Sequence, residues 1–395
     1  MTLTHCLSLV VVGVVLWRPV SLPTAEYGHV SEVATLVAPL DMREFYTFAT
    51  FELPDKTRIR VKTSKYVTWP VGQTVLLEGL LEEPPNSPDF DYQKYLSILG
   101  ISAISDYPEI EPVGINQSWR FRFLNHLFNI RQQFERQINR LLPEPEASFL
   151  AGLLIGSRRA IPQKTLDELA RTGTTHIIAV SGSNVVIVAS VILVLFRYLT
   201  NNIRLSFWLA QTTIVSFVIL TGLSAAAVRG GVVSSLTLWA KSSGRPTNIW
   251  GVLIVPAAIM LLINPFYKLD IGWQLSFAAF TGILLLPDWL AQMTQSWKLP
   301  EIIKKPLLET LAASILVTPV AIYHFGTFSL STFLANPLVL WLIPLAMGVG
   351  FVSTITFSLL PFLWLPLRVL ATLPLKTILL LVHLVAQIPW TFWRI

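Results

Sequence analysis

The sequence is poor in charge. Asp, Glu, Lys and Arg together make up 13% of its 395 residues, where a soluble chain carries about a quarter. There is one cysteine, Cys6, which excludes an intrachain disulfide and a cysteine metal cluster. Six histidines are scattered without a His-x-x-x-His pair, so no zinc signature is present. No Gly-rich loop ending in Lys-Ser/Thr occurs, which excludes ATP binding by a phosphate-cradling loop. No metal or organic cofactor is expected.

What is abundant is apolar. Hydrophobic residues make up 53%, with 13 Trp and 22 Phe, the composition of a membrane protein. The net charge of +6 on so few charged groups fits basic loops at a membrane face better than a nucleic-acid surface. The charges are also uneven: residues 26–145 hold most of the acids, and 177–395 is nearly continuous apolar sequence.

Four regions follow. Residues 1–25 contain the apolar run Leu3–Trp17; no Lys or Arg precedes it, which favours a first span or retained anchor over a cleaved signal. Residues 26–114 read as a small β-rich domain. Tyr46-Thr-Phe-Ala-Thr-Phe, Arg58-Ile-Arg-Val-Lys and Thr74-Val-Leu-Leu-Glu are strand-like and separated by Pro-Asp and Pro-Val-Gly turns. Phe90–Ile101 predicts a helix ending at Gly100. Residues 115–145 hold an amphipathic basic helix over Trp119–Leu142, suited to the membrane interface or to packing as a connector.

Residues 146–395 form the fourth region. Helix Ala147–Ile155 is closed by Gly156, and 162–171 is polar helix. From Ile177 to Phe196 no formal charge occurs over twenty residues, about 30 Å of helix. Further apolar runs cover 206–221, 224–239, 249–263, 272–286 and 308–325. The sequence stays apolar through 330–365, interrupted by Pro337, Pro344 and Pro361, and closes with 377–393. Eight to eleven crossings are expected. If 206–239 is a tight hairpin, Arg197/Arg204, Lys241/Arg245 and Lys298/Lys304/Lys305 fall on one side, the cytoplasmic one by the positive-inside tendency. Residues 28–175 then lie mainly outside.

That topology gathers polar residues at one depth, in the outer third: Ser181, Gly182, Ser183 and Asn184, Arg229, Gln274 with Ser276, and His324. An arginine within a bilayer costs several kcal/mol unless it snorkels or faces protein or water. Two readings stand. The cluster lines a polar cavity or channel mouth, or the residues separately pack, snorkel and hydrogen-bond between helices. Gly230-Gly231 allows close helix approach or a break. His176 lies five residues before Ser181, about 140° away on a helix, poorly aimed for proton transfer, so no intramembrane hydrolase is expected.

Four segments in order carry a family resemblance. GTTHIIAVSGSNV, LSAAAVRGGV, DIGWQLSFAAFTGILLL and TPVAIYHFGTFSLSTFLANPL resemble the motifs of the ComEC family of competence proteins, which internalise DNA during natural transformation. FDYQKYLSILGI resembles the helix that closes that family's OB-like domain. The resemblance implies a mostly α fold: a polytopic helical membrane protein with a small N-terminal extracytoplasmic β-rich, OB-like domain. It implies a bacterial plasma-membrane channel passing single-stranded DNA to the cytoplasm, with His176, Ser181, Gly182, Ser183, Asn184, Arg229, Gln274, Ser276 and Asn336 lining the path. Arg58, Arg60, Lys62, Lys65, Tyr66 and Trp69 are the implied DNA contacts of the OB-like domain, a solvated strand face being the other reading of that run.

The implied partners are single-stranded DNA, membrane lipid, a DNA receptor, a cytoplasmic helicase or motor, a separate nuclease and a second copy of the chain. Asn184 stands where the family often has His. The His-x-His-x-Asp-His motif of the metallo-β-lactamase-like domain that many members carry is absent, so no nuclease is expected in this polypeptide. A permease for another solute and a non-transporting scaffold are the alternative functions.

Overall fold

A computed structural model describes residues 26–394, together with Gly13, with the exception of 44, 87–90, 158–159, 179–181, 201, 223, 245–248, 298 and 390–391. The expected anchor in 1–25 otherwise falls outside the described residues. The chain divides into two compact units. One takes in residues 26–132 and the segment Pro265–Asp270; the other takes in Gly13, Gln133–Asn264 and Ile271–Ile395.

The first unit is a β-barrel. Its strands are β1 (Gly28–Leu36), β2 (Asp41–Met42), β3 (Tyr46–Glu52), β4 (Arg58–Ser64), β5 (Gln73–Leu81), β6 (Ile101–Asp106) and β7 (Glu109–Ile115). Along β3 burial alternates residue by residue, the period expected of a strand with one face on a core. The strands pair in the order β6-β4-β3-β1-β5-β7, with β2 beside β3. β4 and β6 run parallel, and a Glu82–Ile104 bridge joins the end of β5 to β6, closing the ring. This is an OB-like strand order, as the resemblance implied. Leu36, Phe51, Ile59, Val61, Val75 and Leu77 fill the interior.

Helix α1 (Tyr92–Ile98) is capped by Asp91, which accepts from the Lys94 backbone N–H at 2.9 Å. It is shorter than the expected Phe90–Ile101. Gly100, at φ +73°, turns the chain so that Ile101 opens β6.

Helix α2 (Trp119–Leu141) has the length expected, and its first turns are pinned to the barrel. Asn125 accepts from the Val71 N–H at 3.0 Å and donates to the Val71 carbonyl at 2.7 Å. The next residue, Gly72, has φ +91°, and a Cβ there would lie 2.9 Å from the Cβ of Phe121. Glycine at 72 is therefore required twice, by conformation and by space.

The second unit is helical. It contains α3 (Glu146–Ile155), α4 (Gln163–Arg171), α5 (Gly182–Thr200), α6 (Ile203–Leu220), α7 (Ala225–Ser242), α8 (Ile249–Ile263), α9 (Ile271–Leu285), α10 (Pro287–Met293), α11 (Glu301–Phe325), α12 (Thr332–Val339), α13 (Leu342–Leu359) and α14 (Trp364–Ala386). α3 is buried on all sides and ends, as expected, at Gly156 in a left-handed conformation. Phe149, Leu150, Leu153 and Leu154 of α3 form a core with Leu375 and Ile378 of α14 and Ala346 and Met347 of α13.

Among the described residues four helices, over Ile203–Leu220, Lys304–Phe325, Leu342–Leu359 and Pro361–Ala386, are long and apolar enough to cross a membrane. A fifth arises if Ile271–Leu285 and Pro287–Met293, bent by 53°, act as one span. Several such helices in one chain describe a multi-pass membrane protein. The expected eight to eleven crossings counted apolar runs that form shorter helices, such as Trp250–Ile263, while Glu146–Ile155 is, as expected, too short to cross alone.

Two local expectations are corrected, and one open alternative is decided. No single helix runs over 177–196, because Thr175–Ile177 is a 3-10 turn and α5 begins at Gly182. Gly230-Gly231 does not break α7, which is continuous from Ala225 to Ser242. The last apolar helix begins at Trp364 rather than near 377, and Phe392–Arg394 forms a strand paired with Thr327–Ser329.

Candidate functional site

The site is built on a crossing of α5 and α7. A Cβ placed on Gly230 would lie 2.5 Å from the Gly182 Cα and 2.8 Å from its carbonyl oxygen, so the two backbones touch with no side chain between them. On the next residue, a Cβ at Gly231 would lie 2.7 Å from Val218 of α6. The glycine pair therefore seats α7 against two neighbours at once.

Arg229 precedes this crossing. A Cβ on Gly182 would collide with its guanidinium. The guanidinium carbon lies 4.8 Å from the ring centroid of Phe280 and 6.0 Å from that of Phe277, both on α9, an arrangement in which ring faces attract a cation. Its Nε is buried and lacks a hydrogen-bond partner, and among the described residues no carboxylate pairs with it. The N-terminus of α5, with its partial positive charge, starts beside it. A cation beside a helix N-terminus is an arrangement that attracts anions.

Gln274 and Ser276 lie on α9 with the two phenylalanines. Gln274 Oε1 accepts from His324 Nε2 of α11 at 2.8 Å, so His324 is a paired group and not only an interfacial residue. The Ser276 hydroxyl is buried without a partner among the described residues. The structure thus brings Gly182, Arg229 and the aromatic face of α9 together, with Gln274 of the same α9 bonded to His324 of α11.

Other expected site residues have partners or places of their own. Asn184 is buried at 1% exposure and donates its side-chain amide to the Leu153 carbonyl at 3.0 Å, tying α5 to α3. His176 is exposed in the 3-10 turn, its Nδ1 3.2 Å from the Gly173 carbonyl. Asn336 is buried in α12, its Oδ1 without a partner among the described residues. Ser181 lies outside the described residues; Ser183 is described by its place in α5 alone.

Phe277 and Phe280 were missed by sequence reasoning. The available signal was the spacing of three from Gln274 to Phe277 and again to Phe280, which keeps them near one side of α9. A second network was also missed: Gln387 donates to His383 Nε2 at 2.8 Å, which leaves the proton on Nδ1 to donate to Glu168 at 2.8 Å. It joins α4 to the end of α14. With Ser329 donating to the Arg171 carbonyl at 2.6 Å, it fixes the segment leading toward α5.

On the barrel the expected basic strip is largely neutralised. Arg58 pairs with Glu52 at 3.0 Å, Arg60 with Asp41 at 3.0 Å and Lys62 with Asp106 at 3.5 Å. Arg60 is only 8% exposed and lies over the Phe48 ring at 4.4 Å. Burial raises the pKa of the Tyr92 phenol, and Arg60 beside it acts in the opposite direction. Trp69 packs edge-on against Phe51, their centroids 5.9 Å apart. Lys65 lies 5.3 Å from the ring of Tyr66, and that ring is 81% exposed. A groove of about 470 Å³ is lined by His29, Glu78, Asp106, Tyr107 and Glu109 among others, a lining that repels phosphate.

The fold is that of a multi-pass membrane protein, with a partly buried arginine packed between α5 and α9. Residues 153–395 match the family model described as "Competence protein", and the chain belongs to that family. It is 24% identical over 263 residues to ComE operon protein 3 of Bacillus subtilis (strain 168), covering 66% of this chain and 32% of that protein. It is 27% identical over 270 residues to the uncharacterized protein YcaI of Escherichia coli (strain K12), covering 65% of this chain and 34% of that one. The matched region thus spans about a third of these curated relatives. No solved structure matches.

Proposed function

We propose that this chain is a component of a channel that carries single-stranded DNA across the bacterial plasma membrane into the cytoplasm. The observation that carries the reading is Arg229, a cation held between glycine backbones and two phenyl rings without a carboxylate partner among the described residues. Phosphate oxygens would offer its N–H groups charge-assisted hydrogen bonds. The phenyl rings beside it offer π faces to unstacked bases, a sequence-tolerant contact. Membership in the competence protein family supports the same reading.

In this scheme the OB-like unit faces the outside, with Lys65 and Tyr66 as its most accessible cation–aromatic pair. No catalytic residue is assigned. A motor, a receptor, a nuclease and further copies of the chain are the partners such a channel calls for.

The test is uptake of end-labelled DNA by cells in which the gene is deleted and then restored. Loss of labelled DNA from the cytoplasm on deletion, with recovery on complementation, is expected. Uptake that survives deletion would remove the proposal.

A further inference from the structure

Helix α2 leaves one face uncovered. Asn125 and Phe121 hold its opposite side against Val71 and Gly72 of the barrel, which sets how the helix is turned. Pointing away from that contact are Trp119, Phe123 and Ile130, exposed at 72%, 48% and 41%. At about 100° per residue these three fall within about 40° of one another, with His126 in the same stripe. They form an apolar ridge along the helix.

Arg120 and Arg122, both exposed, lie about 100° to one side of Trp119 and about 60° to the other. No acidic residue occurs between Glu111 and Glu135. An apolar ridge flanked by arginines is the arrangement with which a helix lies in a membrane interface, its apolar side chains among acyl chains and its guanidinium groups at headgroup phosphates.

We infer that the first three turns of α2 dock on a bilayer surface of anionic phospholipid. Charge complementarity selects the occupant, because the face is purely cationic around its apolar centre. The ridge is convex and includes an aliphatic side chain, which suits acyl chains rather than the stacking of bases. This goes beyond the channel reading and does not depend on it.

The experiment uses the full chain with Cys6→Ser and His126→Cys, so that a single environment-sensitive dye reports from within the ridge. The protein is placed in nanodiscs of phosphatidylcholine, with or without phosphatidylglycerol, carrying nitroxide-labelled lipid. Quenching is expected to be stronger in the anionic discs. Arg120→Glu with Arg122→Glu is expected to lower the docked population about fivefold or more per arginine. A dye at Tyr66→Cys, on the barrel, serves as the unquenched control. Both arginines are exposed, so their replacement leaves the core intact. Absent quenching, or quenching indifferent to anionic lipid and to the arginines, would overturn the inference. Protection of the dye by oligothymidine in place of lipid would also overturn it, and would assign the face to DNA.

Discussion

Replacing Arg229 with alanine is expected to lower uptake of labelled DNA by roughly ten- to a hundredfold, the loss of charged hydrogen bonds to a ligand, while the protein stays folded and in the membrane. The two halves of this expectation have separate origins. Arg229 has no carboxylate partner among the described residues and its Nε is already unsatisfied, so truncation breaks no internal ion pair. Removing a partly buried guanidinium from apolar surroundings also relieves a desolvation cost. A residue kept only for structure would behave in the opposite way, with less protein and no specific loss of uptake.

Arg229→Lys sharpens the result. Lysine keeps the charge but loses the planar fork and the ring stacking on Phe277 and Phe280, so intermediate uptake is expected. Full uptake with well-expressed Arg229→Ala would remove Arg229 from the path.

The second large effect concerns Gly230. Leucine at this position must place atoms where the Gly182 backbone lies, since even a Cβ would come within 2.5 Å of its Cα. Backbone gives way far less readily than a side chain, so α5 and α7 must separate. The cost is expected to reach several kcal/mol, read as a large drop in thermal stability in detergent and in protein recovered from membranes. Gly182→Ala acts at the same crossing from the other side, where the added methyl meets Arg229. Gly348→Ala on α13 is the matched control. A Cβ there meets nothing within 4 Å, and alanine favours helix over glycine, so no loss is expected. Equal stability of Gly230→Leu and the parent would show that the crossing is not as close as described.

Much of the architecture was legible because it rests on local pattern. The strands Tyr46–Glu52 and Arg58–Ser64 alternate, the helix before Gly156 ends on a glycine, and a low charge density marks the apolar helices. The surroundings of Arg229 were less legible because their geometry is long-range. Arg229, Gln274 and Ser276 stood out as polar groups in apolar runs. Phe277 and Phe280 did not, since an aromatic in a membrane helix is ordinary until a cation is found against it.

Gly230-Gly231 was equally open to a break or a close contact, and only the positions of Gly182 and Val218 decide the matter. The basic strip of β4 illustrates the reverse error. Arg58, Arg60 and Lys62 looked available in sequence because Glu52, Asp41 and Asp106, which pair with them, come from other strands. Asn184 was grouped with its polar neighbours, yet its amide reaches a carbonyl thirty-one positions earlier, a distance no local reading spans.

The most direct test of the proposed path is photocrosslinking during uptake. A benzophenone amino acid replaces Phe280, whose ring centroid lies 4.8 Å from the Arg229 guanidinium carbon, in cells taking up labelled DNA. Illumination is predicted to yield a covalent adduct between this chain and the incoming strand, abolished when uptake is blocked. Normal uptake through the substituted protein with no adduct at that position would contradict the account.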